Sequence, residues 1–376
     1  MNRKLLATAI GVALAGGMMA AQAETTLYGN INLSVNYQDP VEGKSDTTLQ
    51  SNTSSIGVKG SEDLGNGLRA IYQAEFQIDV DDAEQQRYNP TNTKNLEDLS
   101  GNTADVGDNS STDSVLQGRD IWVGAAHDGW GQIRMGTIST TYKSYGAMVD
   151  PLYRTSAQGR DFGLQSRLHS GKGEEGQGRA TNTFRYDSPS WKGFGVKGNF
   201  TLDNSESDGE TKNPYSLGAH YMNGPALVFF DWIDSQLGDQ SSAWKVGGKY
   251  TYQNFGIYGQ YENDGGLISQ QDLSQIGNTT GEDAKNFDVD GRDTWFVGAS
   301  YKWGNSLFYG AYGQGDKATG STALDPDVTI PKYKSWEVAW DYAFTKQTDL
   351  YVGYVTQNPK GSGSNDVWTA GWRTKF

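Results

Sequence analysis

The sequence predicts an all-β protein: a 16-stranded antiparallel transmembrane β-barrel with short turns at one end and long loops at the other. Three observations predict it. Apolar residues recur at every second position in one short segment after another. The connections between segments alternate between tight turns and long polar stretches. The composition of the 376 residues is low in apolar content, at 35%, yet carries 49 Gly, 21 Tyr, 13 Phe and 11 Trp. Weakly hydrophobic chains tend to disorder, but disordered chains lack aromatics. Strands that are apolar on one face only account for both facts.

The N-terminus stands apart. Arg3 and Lys4 precede an apolar run from Leu5 to Ala15, then small residues and Ala21-Gln22-Ala23. That is the three-part pattern of a secretory signal peptide, with an apolar part too short to span a bilayer. Residues 1–23 are read as a cleavable export signal and 24–376 as the barrel domain. The chain has no cysteine, so backbone pairing and packing must hold it. Its formal net charge of −14 argues against nucleic acid as a partner.

The first strand shows the pattern best. Leu27, Gly29, Ile31, Leu33, Val35 and Tyr37 share one face, and Tyr28, Asn30, Asn32, Ser34 and Asn36 share the other. The alternation returns at Ile56/Val58, Leu68/Ala70/Tyr72, Ile133/Met135, Leu217/Ala219/Tyr221, Leu227/Phe229, Phe296/Gly298 and Trp336/Val338/Trp340, among others. The segments fall at roughly 25–37, 52–60, 67–79, 116–126, 130–138, 180–188, 193–202, 215–222, 225–234, 243–253, 255–263, 293–303, 305–314, 333–344, 348–357 and 366–376.

Tight turns such as Glu62–Asn66, His127–Gly129 and Asn223-Gly224 follow the even-numbered segments. Long polar loops such as 38–51, 80–115 and 139–179 follow the odd-numbered ones. An even strand count with this alternation is the plan of outer-membrane barrels, whose closure pairs every backbone group as hydrocarbon demands. A soluble propeller or sandwich would give no reason for the alternation. The stretch 137–180 is too long for an ordinary connection. Its Tyr142, Tyr145, Leu152, Tyr153, Phe162 and Leu164 need something to pack on.

Several motifs resemble one family. Ser54-Ser55-Ile56-Gly57-Val58-Lys59-Gly60, running on to Leu68, is similar to the second hairpin of the Gram-negative general porins of neisserial and comamonad type. Asn182-Thr183-Phe184-Arg185-Tyr186 resembles that family's sixth strand, and Gly371-Trp372-Arg373-Thr374-Lys375-Phe376 its terminal strand. The resemblance implies a homotrimer in the outer membrane, among lipids including lipopolysaccharide. It implies a third loop, about 139–179, folded into the lumen, and a water-filled channel for passive diffusion of ions and small hydrophilic solutes. Two departures stand out: Ser55 and Thr137 occupy positions where the family often has Arg. The flat faces at Gly29 and Gly57 would suit packing between subunits.

A charge facing lipid is costly, so charged strand residues should face water. Lys59, Arg69, Glu75, Arg134 and Arg185 on the wall are candidates for the pore lining. So are Asp150, Arg154, Arg160, Asp161 and Arg167 on the third loop. Opposed charges across a constriction make a transverse field that biases ions without tight binding. The bland reading is that each charge only solvates the lumen or ties loop to wall.

No enzyme, cofactor or metal is expected. The three His are scattered and no zinc pattern exists. Asp288 and Asp290 before Gly291 resemble the start of a calcium loop but lack its closing Glu; solvated loop charge reads better. A substrate-specific channel with a weak sugar or anion site is the alternative, kept open by Tyr142, Tyr145 and Tyr153.

Overall fold

In the computed structural model the described residues are 24–41, 43–81, 117–166, 178–202, 206–207, 210–211, 213–234, 242–267, 288–321 and 328–376. The segment 1–23 read as an export signal lies outside them. The barrel strands are β1 (Glu24–Asp39), β2 (Ser55–Gly65), β3 (Leu68–Gln77), β4 (Gln117–His127), β5 (Gly131–Ser139), β6 (Arg179–Asp187), β7 (Phe194–Thr201) and β8 (Tyr215–Asn223). They continue as β9 (Ala226–Asp234), β10 (Ser242–Tyr252), β11 (Phe255–Asp264), β12 (Thr294–Trp303), β13 (Ser306–Gly315), β14 (Tyr333–Ala343), β15 (Thr348–Pro359) and β16 (Asn365–Lys375).

Each strand pairs antiparallel with the next. β16 returns to β1, with Asn30–Asp39 against Asp366–Lys375. The ring therefore has no edge strand, and its backbone groups are paired along the ladders except at a few bulges. The sixteen predicted segments match these strands closely. The main difference lies in the first long loop. Asp46–Ser51, expected as loop, is a short strand paired with Leu33–Gln38. Thr53, at φ 56°, breaks it from β2. The second hairpin runs to Gly65 and turns at Asn66-Gly67, both at positive φ, the backbone that Asn and Gly tolerate best.

The alternation fixes which face meets lipid. Leu27, Val35, Val58, Leu217, Ile257 and Val338 are exposed on the outside, while Asn32, Ser34 and Asn36 are buried within. Outward rings gather near both ends of the strands. Trp336–Tyr354–Trp368 contacts lie toward the long loops, and Phe344–Trp372 and Phe255–Tyr301 toward the turns. These are the aromatic girdles of an interface on each side.

Four expected outward positions are corrected: Gly298 turns inward with Phe296, where a Cβ would meet Tyr309 and Ala311, and the other three carry large side chains. Leu227, Phe229 and Phe296 point into the barrel and are buried, leaving Val228, Phe230 and Val297 to face lipid. Both neighbours in each pair are apolar, so period two alone could not choose the face. Gly57 also belongs inside. A Cβ there would meet the Tyr28 ring, so it offers nothing flat to another subunit. Gly29 remains outside, covered by the terminal Phe376 ring.

Candidate pore constriction

The third long loop enters the lumen directly from β5. Thr140 caps a short helix, α1 (Thr141–Ala147), by accepting from the Lys143 N–H. The helix is held by polar groups of the inner wall. Asn199 accepts from the Thr141 N–H at 3.0 Å, and Tyr142 donates its hydroxyl to Glu262 at 2.6 Å. Lys245 donates to the Tyr142 carbonyl and lies 3.8 Å from the centre of its ring. Gly218 allows this approach, because a Cβ there would collide with Asp231 and the Tyr145 ring.

Beyond α1 the loop buries an apolar seam. Tyr145, Val149, Leu152, Ala157 and Leu164 pack on Leu227, Phe229, Phe296, Tyr309, Val355 and Val367 of the wall. Asp150 is buried with them. It accepts from the N–H groups of Leu152 (2.9 Å) and Gly159 (3.1 Å). Burial nevertheless pushes its carboxyl up to about 6. The far side is pinned by polar contacts. Tyr333 donates to the Gly163 carbonyl at 2.8 Å, Ser156 donates to Asn36 at 2.7 Å, and Asn32 donates to the Arg154 carbonyl. The loop thus crosses from the β7–β11 side to β13–β16 and β1.

Facing it on β3–β6 is a cluster of charge. Glu75 accepts from Arg119 Nε at 2.6 Å and from the Tyr28 hydroxyl at 3.1 Å, and the loop's Arg154 comes to 3.6 Å. Asp120 accepts from the Ser139 N–H at 2.6 Å and pairs with Arg179 at 3.3 Å. Arg119 and Asp120 both face inward because the β3–β4 register shifts between Ala74 and Phe76. A second shift, between Gly136 and Ile138 on β5, re-aims the start of β6. Bulges re-aim side chains in this way. Lys143 on α1 is also drawn in. Burial pushes its ammonium well below the usual lysine range, Arg179 and Arg160 add to this, and Asp120 opposes it. A step away, Asp187 holds both Arg134 and Arg185, the latter at 2.9 Å. Arg185 also donates to Ser144 of α1 at 2.8 Å.

A closed barrel with a charged loop inside agrees with the sequence comparison, in which residues 7–362 match the model of the Gram-negative porin family. The chain belongs to that family. This porin is 26% identical to an outer membrane porin protein of Bordetella pertussis, over 94% of its own length and 93% of the relative's. It is 26% identical to the major outer membrane protein P.IB of Neisseria lactamica, over 98% of both chains. Its fold matches the anion-selective porin from Comamonas acidovorans with a TM-score of 0.65. The identity there is 18%, and the match covers 94% of this chain and 100% of that one. The outer-membrane-expressed OmpT of Vibrio cholerae aligns at a TM-score of 0.60 and 14% identity, over 96% and 99%. The porin is a protein of the Gram-negative outer membrane.

The candidate residues of this porin divide by place. Glu75, Arg134 and Arg185 lie on the inner wall, tied to partners, and Arg154, Arg160, Asp150 and Asp161 lie on the loop. Arg160 sits over the Tyr153 ring at 5.0 Å, and Asp161 accepts from Gln158. Lys59 is exposed to the lumen beside Tyr28. Arg69 is remote from the cluster: half-buried itself, it pairs at 3.0 Å with the largely exposed Asp128 at the turn end. Arg167 lies outside the described residues. Spacing did not single out Arg119, Asp120, Arg179 or Asp187. The Arg-Asp pair at 119–120, and Asp187 two residues after Arg185, were the available signals. Asp290 accepts from the Thr319 hydroxyl at 2.9 Å. Among the described residues no group of three His, Cys, Asp or Glu could hold a metal.

Proposed function

We propose that this porin is a general diffusion channel for ions and small hydrophilic solutes whose constriction favours anions, and that it performs no catalysis. One observation carries the selectivity. Arg119, Arg179 and Arg154 of the loop, three permanent cations, crowd around two carboxylates, Glu75 and Asp120. Buried, water-poor charge is screened little by salt, so the excess acts on each passing ion. The acidic balance of the whole chain lies elsewhere. Arg119 and Arg179 supply wall charge that Ser55 and Thr137 do not. The Comamonas structure of like fold is of an anion-selective porin, which accords with this reading. A homotrimer, which the family resemblance implies, completes it.

The test is single-channel recording in a planar bilayer, with reversal potential in a salt gradient. Discrete steps that scale with salt, and a reversal potential of the anion-selective sign, are expected. Absence of steps would remove the channel reading. A cation-selective sign would remove the role given to the arginine cluster.

A further inference from the structure

A cavity of about 430 Å³ lies on the long-loop side of the constriction. It is bounded by the end of β1, the strand Asp46–Ser51, the tip of the third loop, and the loop ends of β15 and β16. Its size falls in the range of small-molecule sites. Its chemistry differs from that of the arginine cluster below. Amide side chains dominate: Gln38, Gln50, Asn52, Gln158, Gln357 and Asn365. Phe162 adds an apolar face.

Asp39, Asp161, Asp366 and one cation, Arg154, line it; Asp39 and Asp366 share the outward face of Tyr37 and Trp368, which leaves Asp161 and Arg154 as the charged side chains on the lumen side. That balance, one acid against one base, favours neither an anion nor a cation. The carboxylates are also already held by neutral donors. Asp366 accepts from Tyr354 at 2.6 Å and from Ser364, Asp39 from Ser45 at 2.7 Å, and Asp161 from Gln158. Asp161, on the loop inside the lumen, is thus fixed as an oriented acceptor, and the three carboxylates do not converge on a single cation. A ligand that suits amides, one oriented carboxylate and one aromatic face must donate and accept at many points and present C–H surface. That is a polyhydroxylated neutral molecule.

We propose that this cavity is a binding subsite for a neutral saccharide of about disaccharide size, which the channel holds before passage. Gln357 supplies an amide pair for vicinal hydroxyls, the Asn365 amide NH2 donates while its oxygen accepts from the Val41 N–H at 2.9 Å, Asp161 accepts from one hydroxyl, and Phe162 covers a sugar face. The proposal rests on the channel reading for its purpose and for the conductance arm of its test, but not for the NMR arm.

Maltose is the probe, with a polyethylene glycol of matching size as the control. In planar bilayers, current through the purified full-length porin falls along a saturable curve with maltose and only linearly with the glycol. Gln357→Ala shifts the half-saturating maltose concentration upward by about tenfold, the loss of about one hydrogen-bond pair. Saturation-transfer NMR on the detergent-solubilised wild-type porin gives a maltose signal that unlabelled sucrose or maltotriose displaces. Identical linear curves for maltose and glycol, or an unchanged half-saturation in Gln357→Ala, overturn the subsite. So does the absence of a saturation-transfer signal. Maltose binding by NMR in a protein that shows no conductance steps would support the subsite while sinking the channel.

Discussion

The wall formed by β9 and β12–β16 and the wall formed by β3–β6 face the same lumen, yet they are built from opposite materials. The first presents Phe229, Phe296, Tyr309, Val355 and Val367 inward. The second presents Glu75, Arg119, Arg134, Arg179 and Arg185. An apolar residue facing a water-filled pore gains nothing unless something covers it, and the third loop is that cover. The difference teaches how the loop is both held and aimed. Burial of apolar area, which is strong and undirected, fixes it on one side. Ion pairs and hydrogen bonds, which are directional, set what it offers to the other.

Breaking the greasy side should have the largest effect. Leu152 and Leu164 are nearly fully buried in the seam. Truncating a buried Leu to Ala costs about 2–5 kcal/mol per site. The double variant Leu152→Ala/Leu164→Ala should release the loop from the wall while leaving the barrel closed, since both leucines belong to the loop. Single-channel conductance should rise, with added current noise, and ion preference should flatten. Unchanged conductance would mean that the polar pins at Ser335, Tyr333 and Asn36 suffice by themselves.

Breaking the ionic side comes next. Arg119→Gln leaves Glu75 buried with the more distant Arg154 and the Tyr28 hydroxyl. Removing one partner of a buried pair costs about 3–5 kcal/mol. Reversal potential should move toward cations with little change in conductance. Replacing Arg134 and Arg185 together by Ala should move it the same way. That shift should be smaller, because Asp187 already balances part of their charge. Equal shifts would spread the selectivity evenly along the wall and weaken the special place given to Glu75 and Asp120.

Much of this was legible in the sequence, for physical reasons. Strands that are wet on one side and apolar on the other declare their face, so β1 was read correctly residue by residue. The loop's tyrosines and leucines announced that it must pack. Two things were hidden. Where the inner wall is itself apolar, as at Leu227 and Phe229, both faces read alike and the phase is lost. Where a bulge intervenes, as at Arg119 and Asp120, strict alternation sends one residue of the pair to lipid, although both face the lumen. Both failures occur where the loop is seated or where charge is gathered. These are the places at which a regular barrel has been altered for use.

A gentler probe of the seam is pH. Asp150 moves from an ordinary 3.8 to about 6, which weighs about 3 kcal/mol against its ionised form. Arg160 and the two backbone N–H groups oppose this shift, while Asp161 of the loop adds to it. Glu337 and Tyr309 face Asp150 from the wall. A carboxyl whose folded value is raised binds its proton more tightly when folded. The hold on the loop is therefore greatest below about 4, declines as pH rises toward about 6, and is level above that. Amide exchange across 148–165, corrected for intrinsic rates, should show protection falling over that window. Asp150→Asn should flatten the profile. A profile that falls equally in the variant would assign the change to Glu337.

The smallest effect is expected at Arg69, and it sharpens the comparison by lying outside it. Arg69 has the same charge as Arg119 and sits on neighbouring β3, yet its partner Asp128 is 82% exposed at the turn end. Exposed pairs contribute about 0–1 kcal/mol, and salt screens charges beyond about 10 Å at 0.1 M. Arg69→Ala should leave unfolding in detergent, conductance and reversal potential all within error of the wild type. Lys59→Ala, exposed but inside the lumen, should give a small shift toward cations. If Arg69→Ala moved the reversal potential as far as Arg119→Gln, selectivity would depend on the summed charge of the whole water column. Position at the constriction would then count for little.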